Sequence, residues 1–221
     1  GDTYYMICAT MHFFPGGTLL KSYDLVHWEI AAHVFERLDD TPAEQLEGEQ
    51  SIYGKGMWAA SLRYHKDTFY VCFASYDTGK TYIYRTKNIN EPWEKRSLDG
   101  VYHHPSLLFD EDGRIYMGYG FNEVRILELN DTLTAPKEGG FERLLVEEKQ
   151  DAYISYEGAH FYKKDGTYYI FVIQWLKGNL TQREQLCLYG DSLDGEFKKE
   201  MVFSENLGFP MKGVAQGGIV D

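Results

Sequence analysis

A hairpin-like block recurs four times along the chain, and this repetition restricts the fold more than any other feature. The copies are GDTYYMICAT at 1–10, KDTFYVCFAS at 66–75, EDGRIYMGYG at 111–120 and KDGTYYIFVI at 164–173. Aligned on Tyr5, Tyr70, Tyr116 and Tyr169, they are spaced 65, 46 and 53 residues apart. Short apolar segments, SLRYH, SLLFD and AHFYK, precede the turn in the last three. Asp-Gly and Lys-Asp between two apolar runs are turn signals for antiparallel hairpins. A second element follows each hairpin and ends in a polar edge, as in KSYDLVHWE at 21–29 and RTKNINEPWEK at 85–95, with weaker counterparts at 129–136 and 189–197. Four strands per repeat of this length is the pattern of a β-propeller blade. No stretch sustains helical periodicity, which removes most α/β alternatives.

The repeat also predicts a site. Trp58, His104 and Glu157 each stand twelve residues before their anchor tyrosine. They should therefore occupy equivalent positions at the start of each blade's innermost strand, where a propeller gathers side chains around one channel mouth. The corresponding position of the first repeat falls before Gly1. The chain opens mid-hairpin and stops in an apolar run at 217–221, so it reads as a fragment.

Composition narrows the partners. Net charge is −12, from 34 acidic and 22 basic residues, with no basic tract to neutralise a phosphate backbone, which argues against nucleic acid. No apolar run reaches the ~18 residues of a membrane helix. Aromatic residues make up 16% of the chain; they favour strands and also form stacking surfaces for sugars. Cys8, Cys72 and Cys187 are odd in number and far apart, which favours free buried thiols over a disulfide framework. Free thiols fit a reducing compartment without excluding secretion.

Three blocks carry a family likeness. YGKGMWAASLRYH at 53–65, HHPSLLFDEDGRIY at 103–116 and EGAHFYKKDGTYY at 157–169 resemble successive signature blocks of glycoside hydrolase family 43, the β-xylosidases and α-L-arabinofuranosidases. TMHFFPG at 10–16 resembles its first blade and GVAQGGIVD at 213–221 the opening of its fifth. The resemblance covers essentially the whole chain. It implies an all-β, five-bladed β-propeller, present as about four blades plus the start of the fifth, in one incomplete hydrolase domain over 1–221. The Arg-Asp-Pro and Glu-Cys blocks of the sucrose-cleaving five-bladed families are absent.

The resemblance further implies inverting hydrolysis of xylosyl or arabinofuranosyl linkages in hemicellulose, on an oligosaccharide or polysaccharide substrate. Such a reaction uses an acid and a base roughly 6.5–9.5 Å apart. The family's acid falls on Glu157. Its base is an Asp in an Asp-Pro block just upstream of GDTYY, which this chain lacks; Asp2 belongs to the hairpin turn. The family's helper Asp, which raises the acid's pKa, is replaced by His104. A protonated imidazole there would lower the pKa instead, which leaves a non-catalytic carbohydrate-binding propeller or an inactive fragment as the alternative. A protein-interaction propeller is a third reading, unsupported by any apolar surface pattern.

Weaker substrate-binding roles fall on His12, Phe13 and Phe14, which stand where the family lines its sugar pocket, and on Trp58 as a stacking platform. Arg125 could reach a hydroxyl, although an exposed strand arginine is the plainer reading. His160 and His103 could meet a metal or water near the axis. No cofactor is required by the resemblance. The resemblance allows a central calcium or other cation, but Ala215 stands where many relatives hold it with a His, which argues against a protein-ligated metal.

Overall fold

The computed structural model describes residues 3–147, 152–176, 183–205, 207–208 and 216–219. Every regular element in them is a strand, in four antiparallel sheets, and no helix is long and apolar enough to cross a membrane. The chain divides into two compact units, 1–102 with 133–135, and 103–132 with 136–221. The fold class is the β-propeller, carried as four blades. The GD turn at 1–2 and most of the fifth-blade block at 213–221 lie outside the described residues.

The first unit holds two sheets. Strands β1 (Tyr4–Cys8), β2 (Gly16–Ser22) and β3 (Glu29–Phe35) form a three-stranded meander. Strands β4 (Met57–His65), β5 (Thr68–Ser75), β6 (Lys80–Thr86) and β7 (Glu94–Asp99) form a four-stranded one. Lys66 and Asp67 turn β4 into β5 with φ of 48° and 56°. This two-residue left-handed turn matches the right-handed twist of the flanking strands. A bridge between Met11 and Met57 ties the loop after β1 to the start of β4.

Much of the aromatic content of this unit serves its core. Phe35 stacks on Phe73 at 5.5 Å, and Phe73 on Tyr82 at 5.5 Å and Tyr84 at 5.9 Å. Rings of this size on alternating positions fill the space between two sheets, at 150–250 Å² of buried surface each. The buried Tyr82 hydroxyl donates to Asp39 at 2.6 Å, and Lys80 and Lys95 pair with the same carboxylate. Asp39 thereby anchors the long β3–β4 connection to the second sheet.

The second unit repeats the plan. Strands β8 (Ser106–Phe109), β9 (Ile115–Tyr119), β10 (Glu123–Leu129) and β11 (Glu142–Glu147) form one sheet. Strands β12 (Ala152–Lys164), β13 (Thr167–Leu176), β14 (Glu184–Gly190) and β15 (Lys198–Phe203) form the other. Asp165 and Gly166, with φ of 51° and 82°, make the β12–β13 turn. Tyr116, Ile126, Tyr156, Phe161 and Ile170 form the centre of a shared core. The anchor tyrosines Tyr5, Tyr70, Tyr116 and Tyr169 fall on β1, β5, β9 and β13, as the repeat requires. All three cysteines are free; Cys72 and Cys187 are buried and Cys8 is half-buried.

Polar bonds join the two sheets of this unit. Asp110 accepts from Lys163 Nζ and from the Tyr168 hydroxyl, both at 2.6 Å. Asn122 N–H donates to the Tyr156 carbonyl at 2.8 Å, and its side-chain oxygen accepts from Ser155 N–H at 2.9 Å. Phe161 N–H donates to Ser106 Oγ at 3.0 Å. Removing one partner of a buried ion pair strands the other in a poor solvent. Asp110→Ala is therefore expected to cost about 3–5 kcal/mol in urea unfolding, and Asp110→Asn, which keeps an acceptor, distinctly less. A loss under about 1 kcal/mol for the alanine variant would show that the pair is solvent-compensated.

Candidate active site

Glu157 lies within β12, opposite Ile173 of β13. The ladder is interrupted by register shifts between Ile154 and Glu157 and again between Glu157 and His160. Bulges of this kind re-aim a side chain away from strict alternation. Gly158, at φ 72°, makes the second one affordable, and a Cβ there would meet Gln216 Nε2 at 2.8 Å. The Glu157 side chain is left 12% exposed.

His103 and His104 arrive from the segment before β8. Consecutive residues of an extended strand point to opposite faces. His104 instead has φ 45°, a left-handed conformation uncommon for a non-glycine residue, and the two imidazoles stack at 3.8 Å with 22° between planes. Gly120 N–H donates to the His103 carbonyl at 3.0 Å, and Phe121 packs edge-on to the His103 ring at 5.2 Å. Both histidines are buried. His103 Nε2 lies 3.4 Å and His104 Nδ1 3.9 Å from Glu157 Oε2.

The alignment placed all three residues at strand starts, and the structure departs from that. Trp58 is on β4 near its start, but His104 precedes β8 and Glu157 lies inside β12. The cause is local. Pro105 has no N–H to give a ladder, and with the left-handed His104 before it β8 is cut to four residues. The structure brings His104 and Glu157 together. Trp58, in the first unit, meets Tyr76 edge-on at 5.0 Å.

The remaining candidates divide. His12 stacks with the exposed Phe13 at 4.3 Å and with the exposed Tyr53 at 4.6 Å, and accepts a bond from Gly54 N–H. Phe14 turns the other way, edge-on to Phe35 in the core of the first unit. The guanidinium of Arg125 is occupied by Glu123, at 2.6 and 3.2 Å, the arrangement of a strand arginine. His160, on β12, is near enough to disfavour protonation of His104. Ala215 lies outside the described residues.

Burial, reinforced by His103, pushes the His104 imidazole down to about 4 despite the opposing pull of Glu157. It is a neutral ring at ordinary pH. Burial pushes the Glu157 carboxyl up, but the His103 hydrogen bond and the fields of the neighbouring imidazoles and Arg183 push it down, and the net position is below the usual carboxylate range. His103 and Arg183 were not singled out as partners of Glu157 in the sequence. The doublet His103-His104 was the visible signal for the first; nothing in the linear pattern marks the second.

Comparison with known proteins follows the same outline. The model for glycosyl hydrolases family 43 matches residues 1–201. A β-xylosidase from Formosa agariphila is 28% identical across all of this chain and 40% of its own length. A non-reducing end α-L-arabinofuranosidase from Bacteroides ovatus is 34% identical, over 77% of this chain and 32% of its own length. Among solved structures, a bifunctional GH43-CE protein from Bacteroides eggerthii superposes with a TM-score of 0.91 at 37% identity, covering 100% of this chain and 28% of that one. The chain thus spans 40% or less of the length of these relatives.

The depressed pKa of His104 has a measurable consequence. Between pH 6.5 and about 4 the unfolded chain protonates this imidazole and the folded chain does not. Its stabilising contribution is therefore complete above pH 6.5 and declines as pH falls, by about 3 kcal/mol at most. In EDTA-containing buffer, the urea midpoint of the protein should fall more steeply across this window than that of His104→Asn, which keeps a side chain tolerant of the left-handed backbone. Parallel curves would mean that His104 protonates freely in the fold.

Proposed function

The chain belongs to glycosyl hydrolases family 43, and on that premise we propose that the protein is a glycoside hydrolase in which Glu157 gives the proton to the departing glycosidic oxygen. Its substrates on this reading are xylosyl or arabinofuranosyl units of hemicellulose, released with inversion. The names of its relatives, β-xylosidase and α-L-arabinofuranosidase, support that substrate class.

One observation carries the assignment of the proton donor. Two buried carboxylates, Asp110 and Glu128, are each closed by a lysine at 2.6 Å, whereas Glu157 is half-buried. Glu157 is held by imidazoles at longer range instead. A buried carboxylate is ordinarily locked to a cation, and one left free to change protonation is a mark of a functional site. A bound sugar would remove the remaining water from its side chain, and desolvation favours the protonated form needed at the leaving oxygen. The inverting reaction also needs a base across the ring, for which no residue of 1–221 is assigned.

A non-catalytic sugar-binding propeller is the second reading. It is favoured by His104 at the helper position and by the position of Glu157 below the usual carboxylate range.

Leaving-group dependence separates the two. A proton donor matters in proportion to the basicity of the group that departs. Glu157→Gln should lose on the order of 10²–10⁴-fold in kcat on alkyl xylosides or arabinofuranosides, and far less on dinitrophenyl glycosides, whose leaving group needs no proton. Equal losses on both would remove Glu157 from the acid role. Binding of xylo- or arabino-oligosaccharides without turnover of either substrate class would favour the second reading.

A further inference from the structure

The geometry points to a transition-metal site made of His103, His104 and Glu157, selective for Zn²⁺ and its neighbours among the divalent ions. One ligand atom from each residue lies within 4.8 Å of the other two. The His103–Glu157 hydrogen bond at 3.4 Å is a long one. A charge-assisted N–H···O bond closes to about 2.7–2.9 Å, whereas His103 and His104 stand 3.4 and 3.9 Å from the same carboxylate oxygen. Ligand atoms around a tetrahedral zinc, each about 2.0–2.2 Å from the ion, are separated by about 3.4 Å. The two N···O distances are near that spacing, and the stacked imidazoles must turn apart for both ring nitrogens to face one ion.

The backbone prepares the site. Without the left-handed φ at His104, adjacent residues would send their rings to opposite faces. Strain of this kind persists only where the surroundings impose it, and it gathers at functional sites. Here the Gly120 bond to the His103 carbonyl fixes one side and the shortened start of β8 the other. On the facing sheet, the two register shifts of β12 that flank Glu157 set its side chain toward both rings.

Donor chemistry sets the ion. Two imidazoles and one carboxylate suit Zn²⁺, Co²⁺, Ni²⁺ or Cu²⁺, and not the all-oxygen preference of Ca²⁺ or Mg²⁺. Three protein ligands leave one corner for water or a ligand oxygen. The resemblance put the relatives' cation ligand at Ala215, and of the present trio the sequence named His103 alone as able to meet a metal. Metal binding itself does not depend on the proposed hydrolysis. Its consequence for turnover does: an ion on Glu157 Oε2 takes the position of the proton, so occupancy and acid catalysis exclude one another.

The test is a Co²⁺ titration of the metal-stripped protein, followed by the visible d–d bands of the four-coordinate ion. Expected are saturation at one equivalent, collapse of the bands when Zn²⁺ is added, and no response to Ca²⁺. His103→Ala, His104→Ala and Glu157→Gln should each weaken Co²⁺ binding roughly tenfold or more, while His27→Ala, an exposed imidazole on a turn of the first unit, leaves it unchanged. Circular dichroism checks that each variant is folded; should a histidine variant fail, the nearly isosteric Glu157→Gln decides. Absence of d–d bands, or bands that survive in folded His103→Ala and in Glu157→Gln, overturns the proposal. Loss of hydrolysis in Glu157→Gln with Co²⁺ binding retained would support the hydrolase reading and reject this one.

Discussion

Stitching between the two sheets of the second unit fixes where its site residues stand. Asn122, on the β9–β10 turn, bonds through both backbone and side chain to Tyr156 and Ser155, the residues just before Glu157. Ser106 and Asp110, at the two ends of β8, bond to Phe161, Lys163 and Tyr168. These bonds bracket the two histidines and the carboxylate on both sides. The Ser106–Phe161 and Asp110–Tyr168 bonds are buried, so breaking either leaves an unsatisfied polar group rather than exchanging it for a solvent contact. Apolar burial gives a sheet no directional preference of its own. The sheet cannot slide past directional bonds without losing them.

The hairpins were legible because their signal is local. Asp165-Gly166 and Lys66-Asp67 carry the left-handed angles that two-residue turns demand, and the alternating aromatic strands beside them form as read. Constant hairpin geometry is also why counting back from Tyr116 and Tyr169 reached His104 and Glu157. The count failed where a local rule met a backbone exception: Pro105 and left-handed His104 shorten β8, and the bulges around Glu157 place it within β12. Aromatic content was read as strand and sugar surface together. Phe14, Phe35, Phe73 and Tyr84 went to the core, and ring count alone holds no information on which face a ring will take. The charge of Arg183 acts on Glu157 only through the fold, beyond the reach of any spacing rule.

Both units use one device for burying charge. Asp39 in the first and Asp110 in the second each accept a bond from a tyrosine hydroxyl and from lysine. The lysine neutralises the carboxylate and the phenol fills its remaining acceptor site, which makes a buried anion tolerable. Among the described residues, the side-chain ion pairs of Glu157 are with His103 and His104, and on the proposed reading this difference is what leaves it able to act as the proton donor.

The left-handed backbone at position 104 also bears on how this site can change over generations. Glycine, asparagine and aspartate are the residues that tolerate that conformation best, and histidine is among the few others enriched there. The backbone therefore filters substitution at this point to a small set, whatever the chemistry requires. Histidine and aspartate codons differ by a single base. A lineage can thus exchange imidazole for carboxylate beside Glu157 in one mutational step, placing a negative charge where a neutral ring stands.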